Sequence, residues 1–301
     1  MRTVVLAAVL VLAAVPALAA TPIGVITELH LRNGQVEVKP AAGGDWQAAQ
    51  PLLSINEGDQ VRAAGAGRAV LVFVASQRST VVTPANSPFV VAPPAQPGFG
   101  ERVKAAVGFL QSTPVKPQSL QTRSTGEPVV LLAPRTLVAA EGVTLEWTGR
   151  GTSRYTVRVI SGDGRVLFER KALEAQPLAL SPDDVRLVPG RYRWEVESQA
   201  HGIHHAAFDV ATPDAVAQAG AAADAVEQAR YPAVTAALLK AAALSRERFH
   251  AAARRELLRA IAASPDEPTL HVVLADVYDK TGLPHLGDAE RSRAGALSAG
   301  Q

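Results

Sequence analysis

Apolar and polar positions change rhythm twice along the chain. Between Ile23 and Val91, short apolar stretches recur between turn residues. Gly24-Val25-Ile26 leads into a first strand, Asn33-Gly34 is a turn dipeptide, and Val36 and Val38 flank Glu37 in a second strand. Gly43-Gly44-Asp45 and Asn56-Glu57-Gly58-Asp59 mark further turns, with Trp46 and Leu52-Leu53-Ser54-Ile55 between them. Ala69 to Val74 is an unbroken apolar run of strand length, rich in β-branched residues. Gly65-Ala66-Gly67 precedes it, and Pro84-Ala85-Asn86-Ser87-Pro88 stands before Phe89-Val90-Val91. Strands at such short spacing predict a small all-β sandwich or barrel over residues 21–95.

The rhythm then lapses. Pro93-Pro94-Ala95-Gln96-Pro97-Gly98 reads as a loop, and Glu101 to Leu110 carries a weak helical period through Val103, Val107 and Leu110. Ser112 to Glu127 is polar, contains Pro114 and Pro117, and reads as a flexible link. Residues 96–126 are thus expected to be a linker with one short helix. From Pro128 a period of two returns. Val143, Leu145 and Trp147 alternate with Thr144 and Glu146, and Tyr155, Val157 and Val159 with Thr156 and Arg158. Tyr192, Trp194 and Val196 alternate with Arg191, Arg193, Glu195 and Glu197. One face apolar and one charged means a sheet half buried and half wet. Gly162-Asp163-Gly164 is a hairpin turn, and Ser181-Pro182-Asp183-Asp184 a single helical turn capped by Ser181. Residues 127–211 form a second β module on this reading.

At Thr212 alternation stops and alanine dominates. Thr212-Pro213-Asp214 opens a helix with a cap, a proline at the first position and an acid in the first turn. Helices are predicted from Asp214 to Arg230, slowed or broken near Gly220, from Pro232 to about Leu244, and from Arg246 to Ala263. Ser264-Pro265-Asp266-Glu267-Pro268 is a stop and restart. Thr269 to Lys280 follows, with a further helix near Asp288 to Leu297. The chain therefore reads as multidomain, β then α, with antiparallel helices over residues 212–301.

Composition adds a compartment and removes several functions. Arg2, the apolar run Val4 to Val15, Pro16 and Ala17-Leu18-Ala19 have the layout of a cleavable signal peptide over residues 1–20, with cleavage after Ala19 or Ala20. A periplasmic or secreted mature chain without a transmembrane segment is expected, since no later apolar run nears the ~20 residues a membrane helix needs. The 301 residues contain no cysteine, which excludes disulfides, thiolate metal sites and cysteine nucleophiles. A net charge of +2 and 5% aromatic residues offer neither the basic surface nor the stacking platform that nucleic acid requires.

Three family resemblances follow from these residues. Gly34-x-Val36-x-Val38, then Trp46, Glu57 to Arg62, Gly67 to Phe73 and Ser87 to Val91 resemble the FecR-like domain, a periplasmic β module of iron-uptake regulators and other envelope proteins. The acidic turn common in that family is Ala75-Ser76-Gln77-Arg78-Ser79 here. The regulators carry a cytoplasmic anti-sigma segment and a membrane helix, where a signal peptide is expected here, so the regulator role is not carried over. Leu145-Glu146-Trp147, Arg154 to Val159 and Leu187 to Val196 resemble Ig- or fibronectin-like sandwiches. Trp147 and Trp194 would then be core anchors, or alternatively a platform for sugar. Ala253, Leu257, Ala260, Pro265, Leu274, Ala275, Tyr278 and Gly282 resemble the tetratricopeptide pattern, spanning the second helix of one unit and the first of the next. Lys240 and Gly287 depart from it, and at most two units are visible, so further helices or a partner should complete the stack.

The sequence carries no recognised catalytic motif. There is no phosphate loop, no G-x-S-x-G elbow and no H-E-x-x-H, and Gly149-Arg150-Gly151 does not extend to a dinucleotide fingerprint. His201, His204 and His205 could offer imidazoles to a metal beside Asp209, but adjacent His204 and His205 on a strand point to opposite faces. The acidic pairs Glu57/Asp59 and Asp183/Asp184 sit in turn signatures, where short acids cap backbone amides. No catalytic, cofactor-binding or metal residue is assigned, and no cofactor is expected. The expected function is a non-enzymatic scaffold or accessory factor of the cell envelope, meeting another envelope protein through the helical tail. Peptidoglycan or glycan binding through Arg154, Arg158, Arg191 and Arg193 is the alternative. A periplasmic part of a signalling system with a separate membrane partner is the second.

Overall fold

The computed structural model describes residues 21–93, 100–114, 129–149, 154–174 and 177–299. The expected signal peptide, most of the proline-rich loop after Val91, the link after Pro114, and Arg150-Gly151 lie outside these residues.

The first module has eight strands in two open four-stranded sheets. They are β1 (Gly24–His30), β2 (Gly34–Lys39), β3 (Gln47–Ala48), β4 (Ser54–Ile55), β5 (Gln60–Gly65), β6 (Arg68–Phe73), β7 (Ser79–Val82) and β8 (Phe89–Val90). The orders are β4-β1-β6-β7 and β3-β2-β5-β8. Their facing sides enclose Ile26, Leu29, Val36, Val61, Leu71 and Phe73. The glycines of the Gly65-Ala66-Gly67 turn are sterically required. A Cβ on Gly34 would lie 2.0 Å from the Gly67 nitrogen, and one on Gly67 would lie 2.3 Å from the Gln35 carbonyl oxygen.

Helix α1 (Glu101–Ser112) follows. It falls within the stretch expected to be a linker, yet it does not hang free. Val103, Ala106, Val107 and Leu110 are fully buried in the same core as the C-terminal helices. The second β module contains β9 (Val129–Ala133), β10 (Leu137–Val138), β11 (Thr144–Gly149), β12 (Tyr155–Ser161), β13 (Val166–Leu173), β14 (Leu178–Ala179), β15 (Gly190–Ser198) and β16 (Gly202–Val210). A three-stranded sheet, β14-β11-β9, and a five-stranded one, β10-β16-β15-β12-β13, share a core that holds Trp147, Tyr155, Trp194 and Phe208. The Trp194 indole N–H donates to the Pro134 carbonyl at 2.8 Å. The Tyr192 hydroxyl donates to the Val188 carbonyl at 2.9 Å and accepts the Val188 amide at 3.1 Å, pinning the start of β15.

Five helices end the chain: α2 (Pro213–Gln228), α3 (Ala233–Arg246), α4 (His250–Ala263), α5 (Pro268–Lys280) and α6 (Pro284–Ser298). The Thr212 hydroxyl caps α2, as its sequence signals. Gly220 does not break that helix, which runs through it with the glycine exposed. In α5 every residue from Pro268 to Tyr278 is buried. A helix apolar on one side only would leave a wet face. Here α3, α4 and α6 cover part of α5, and β1 of the first module covers another part.

Candidate functional site

The most deeply buried charged groups gather where β1 meets the starts of α3 and α5. A register shift between Ile26 and Glu28 interrupts the β1–β6 ladder at Thr27. Such a bulge re-aims the side chains around it. Thr27 Oγ1 lies 3.0 Å from Thr235 Oγ1 on α3 and donates to the Val70 carbonyl at 3.2 Å.

The N-cap of α3 is Pro232, which offers no side-chain cap. Glu28 supplies one from the neighbouring module. Its Oε1 accepts the Thr235 amide at 2.9 Å and the Thr235 hydroxyl at 2.5 Å. Its Oε2 accepts Arg68 at 2.9 Å. A carboxylate is favoured at a helix N-terminus, where unpaired amides and the helix dipole meet it. Burial pushes the Glu28 carboxyl up, but hydrogen bonds from His30 and Thr235 and the Arg68 charge outweigh that and hold it below its ordinary value.

Glu267 mirrors this arrangement from the other side. It is the N-cap of α5, where its side chain accepts the Thr269 amide at 3.2 Å. Both its oxygens also lie 3.0 Å from the Leu29 amide of β1. Burial pushes its carboxyl upward. His30 sits at the rim, with Nε2 3.5 Å from Glu28 and 3.9 Å from Glu267. The Arg68 guanidinium approaches the same nitrogen at 2.5 Å. Outside them, Arg32 and Asp266 pair at 3.2 Å in solvent.

Neutral contacts widen the junction. The Tyr231 hydroxyl donates to the Gln77 carbonyl, and Gln111 of α1 donates to the Gly24 carbonyl at 3.1 Å. Val25, Leu52 and Val72 join the helical core. The second β module is tied to the helices separately. Arg254 meets Glu146 at 2.6 Å and Arg135 donates to the Thr281 carbonyl at 2.6 Å.

Chemically this arrangement fastens one module to the other. Glu28 and Glu267 are each 1% exposed and their oxygens are taken by amides, a hydroxyl and a guanidinium. A cavity of about 500 Å³ lies at the opposite end of β1, where Ile23, Phe73 and Val74 face Glu101 and Lys104. Those two charges pair with one another at 3.6 Å.

The residues singled out by sequence are dispersed. His204 and His205 stand opposite Val196 and Glu195 on β15, and the His204 ring bonds the His201 carbonyl oxygen at 3.0 Å. Among the described residues no three histidine or acidic side chains form a metal-ligand group. Asp59 accepts the Ala41 and Asn56 amides at 2.9 and 2.7 Å, and Asp184 accepts the Ser181 amide at 2.9 Å, so both acids cap turns. Trp147 and Trp194 are core residues, 4% and 0% exposed, and form no sugar platform. The arginine face is largely neutralised: Arg158 pairs with Glu169 and Glu197, Arg191 with Asp209, and Arg193 with Glu195. Part of the helical tail, along α3 and α5, is covered by β1 of the same chain. Sequence reasoning passed over Glu28, Thr235 and Glu267. The available signal was the unbroken run from Ala69, which implies a sheet covered on both faces.

No family model matches the chain, and no curated protein matches it. Among solved structures, it is similar to the BSP domain of a biofilm associated protein, at 13% identity over 29% of this chain and 15% of that one, with a TM-score of 0.25. It is also similar to PorZ, a surface component of the type-IX secretion system of Porphyromonas gingivalis, at 15% identity over 52% of this chain and 21% of that one, with a TM-score of 0.23. The chain aligns with less than a quarter of either protein, and similarity at this level carries no inference about shared function.

Proposed function

We propose that the chain is a non-enzymatic accessory protein of the bacterial cell envelope, acting as a rigid interaction scaffold. Its parts are a FecR-like module, an Ig- or fibronectin-like sandwich and a tetratricopeptide-like helical unit. The observation that carries this reading is the junction of β1 with α3 and α5, where the most buried carboxylates of the described residues fasten modules together. The sandwich identity is supported by its strand order and by the Tyr192 hydroxyl bonding back to Val188, the geometry of a tyrosine corner. The repeat identity is supported by Leu257, Leu274 and Tyr278 in the helical core. The envelope address rests on the signal-like pattern of residues 1–20. Among the described residues no helix is long and apolar enough to cross a membrane.

With the α3–α5 face covered, the partner surface on this reading is the outer side of α4, where Arg255, Leu258 and Arg259 are exposed. The ion-paired state of Arg158, Arg191 and Arg193 is the reason to prefer a scaffold over a peptidoglycan binder. A photo-crosslinker placed at Leu258 in cells should give an adduct of one defined mass, while one at Thr156 on the sandwich sheet should not. Recovery of monomer alone from both positions would overturn the proposal. In cosedimentation with purified peptidoglycan the protein should stay in the supernatant.

A further inference from the structure

The turn between β6 and β7 carries a buried polar side chain with nothing to bond. Gln77 is 3% exposed, its Oε1 has no hydrogen-bond partner, and its side-chain amide bonds to no other group among the described residues. The same residue lines the cavity of about 500 Å³ at the end of β1 away from the helix junction. We propose that this cavity is a binding site for a neutral acyl chain with a secondary-amide head: the chain lies against the apolar wall, and the head pairs with the Gln77 side chain.

The backbone fixes Gln77 in that position. Its φ is 54°, in the left-handed region that glycine and asparagine occupy more readily. Its amide N–H donates to the Phe73 carbonyl at 2.7 Å, and its carbonyl accepts the Tyr231 hydroxyl from the helical region. The chain thus holds an unfavourable conformation from two sides and leaves an amide unpaired away from water. Among the described residues no contact offsets that second cost. A ligand amide would. The Gln77 side chain offers two N–H donors and one carbonyl acceptor. A secondary amide is its complement, with a carbonyl for Nε2 and an N–H for Oε1. The terminal torsion of glutamine is soft, so the amide plane can turn to present both atoms.

The wall selects the rest of the ligand. Pro22, Ile23, Phe73, Val74 and Pro93 supply apolar surface, and the volume falls within the roughly 300–1,000 Å³ of small-ligand pockets. Phe73 is the one aromatic ring among the described lining residues, so no pair of rings sandwiches a flat ligand, whereas an alkyl chain conforms to aliphatic walls. Glu101 and Lys104 stand at the edge and pair at 3.6 Å, so that edge carries no net charge to draw an ion. The Val74 amide donates to the Ile23 carbonyl at 2.9 Å, which builds this part of the wall into the end of the β1–β6 ladder. None of the described lining residues belongs to α4, so this site and the partner surface proposed there fail independently.

The test is titration calorimetry on the full mature chain with N-methyldecanamide, and with methyl decanoate, which keeps the chain and the carbonyl but lacks the N–H. One equivalent of the amide should bind, about tenfold tighter than the ester. Gln77→Leu should bring the amide down to the ester's affinity and leave the ester's unchanged. Ala75→Trp, which fills the cavity from an exposed position, should abolish binding of both. No binding by the parent chain, equal affinity for amide and ester, or amide binding retained in Ala75→Trp would each overturn the proposal. Tighter binding of acetyl-leucine methylamide than of the acyl amide would also overturn it, since the site would then be one for peptides. If Gln77→Leu does not fold, the amide-to-ester ratio in the parent chain and the Ala75→Trp result decide the matter.

Discussion

At the scale of single residues, burial determines which groups govern stability. His250 is 7% exposed, and its Nδ1 finds no hydrogen-bond partner among the described residues. Burial, with Lys280 and Arg248 nearby, pushes its pKa from 6.5 down to about 4. The unfolded chain takes up this proton near pH 6.5, so stability from this group is complete above that value and lost as pH falls toward 4, by ~2 kcal/mol. Urea titrations at pH 7 and pH 4.5 should show a smaller acid loss for His250→Asn than for the parent chain. Equal losses would refute the assignment. Tyr192→Phe deletes the hydroxyl that bridges both backbone groups of Val188 and should cost ~1–3 kcal/mol in the same assay. Residues of this kind were legible where local pattern set them. Trp147 and Trp194 lie on the apolar side of clean alternation, and Asp59 and Asp184 in turn signatures. Glu28 was not legible, because a cap supplied from 207 residues away leaves no local trace.

At the scale of elements, α1 and the outer sandwich sheet behave oppositely. Val107 is fully buried in the helical core. Val107→Asp should destabilise the chain by ~3 kcal/mol or more, since an uncompensated charge would enter an apolar site. Arg158→Ala, on the charged face of β12, should change stability by less than ~1 kcal/mol despite its two ion pairs, because both partners are partly solvated. Thermal melts of the two variants compare the effects directly. The period of α1 was visible in Val103, Val107 and Leu110. Its destination was not, because its packing partner α3 lies beyond the whole sandwich in sequence. Gly220 was over-weighted as a breaker: an exposed glycine costs a helix ~1 kcal/mol, and the alanines around it offset that.

At the scale of the whole molecule, the first module and the helices share a core, so they should unfold as one unit. In a urea series followed by hydrogen exchange, peptides from β6 and α5 should lose protection at the same denaturant concentration. Separate midpoints would show that the modules are independent. The order β then α was legible from the change of rhythm at Thr212. The assembly was legible only as a hint, in the run from Ala69 to Phe73 that has no wet side. That shared core has a temporal cost. Leu29 waits for Glu267, 238 residues later in the chain. At ordinary synthesis rates of about 5–20 residues per second, the outer face of the first sheet stays bare for tens of seconds. Throughout that interval Val25 and Val72 are exposed to any other unfinished chain. A nascent protein of this design depends on whatever shields that face until its last helices arrive, and loss of the final helices would be felt first at the opposite end of the sequence.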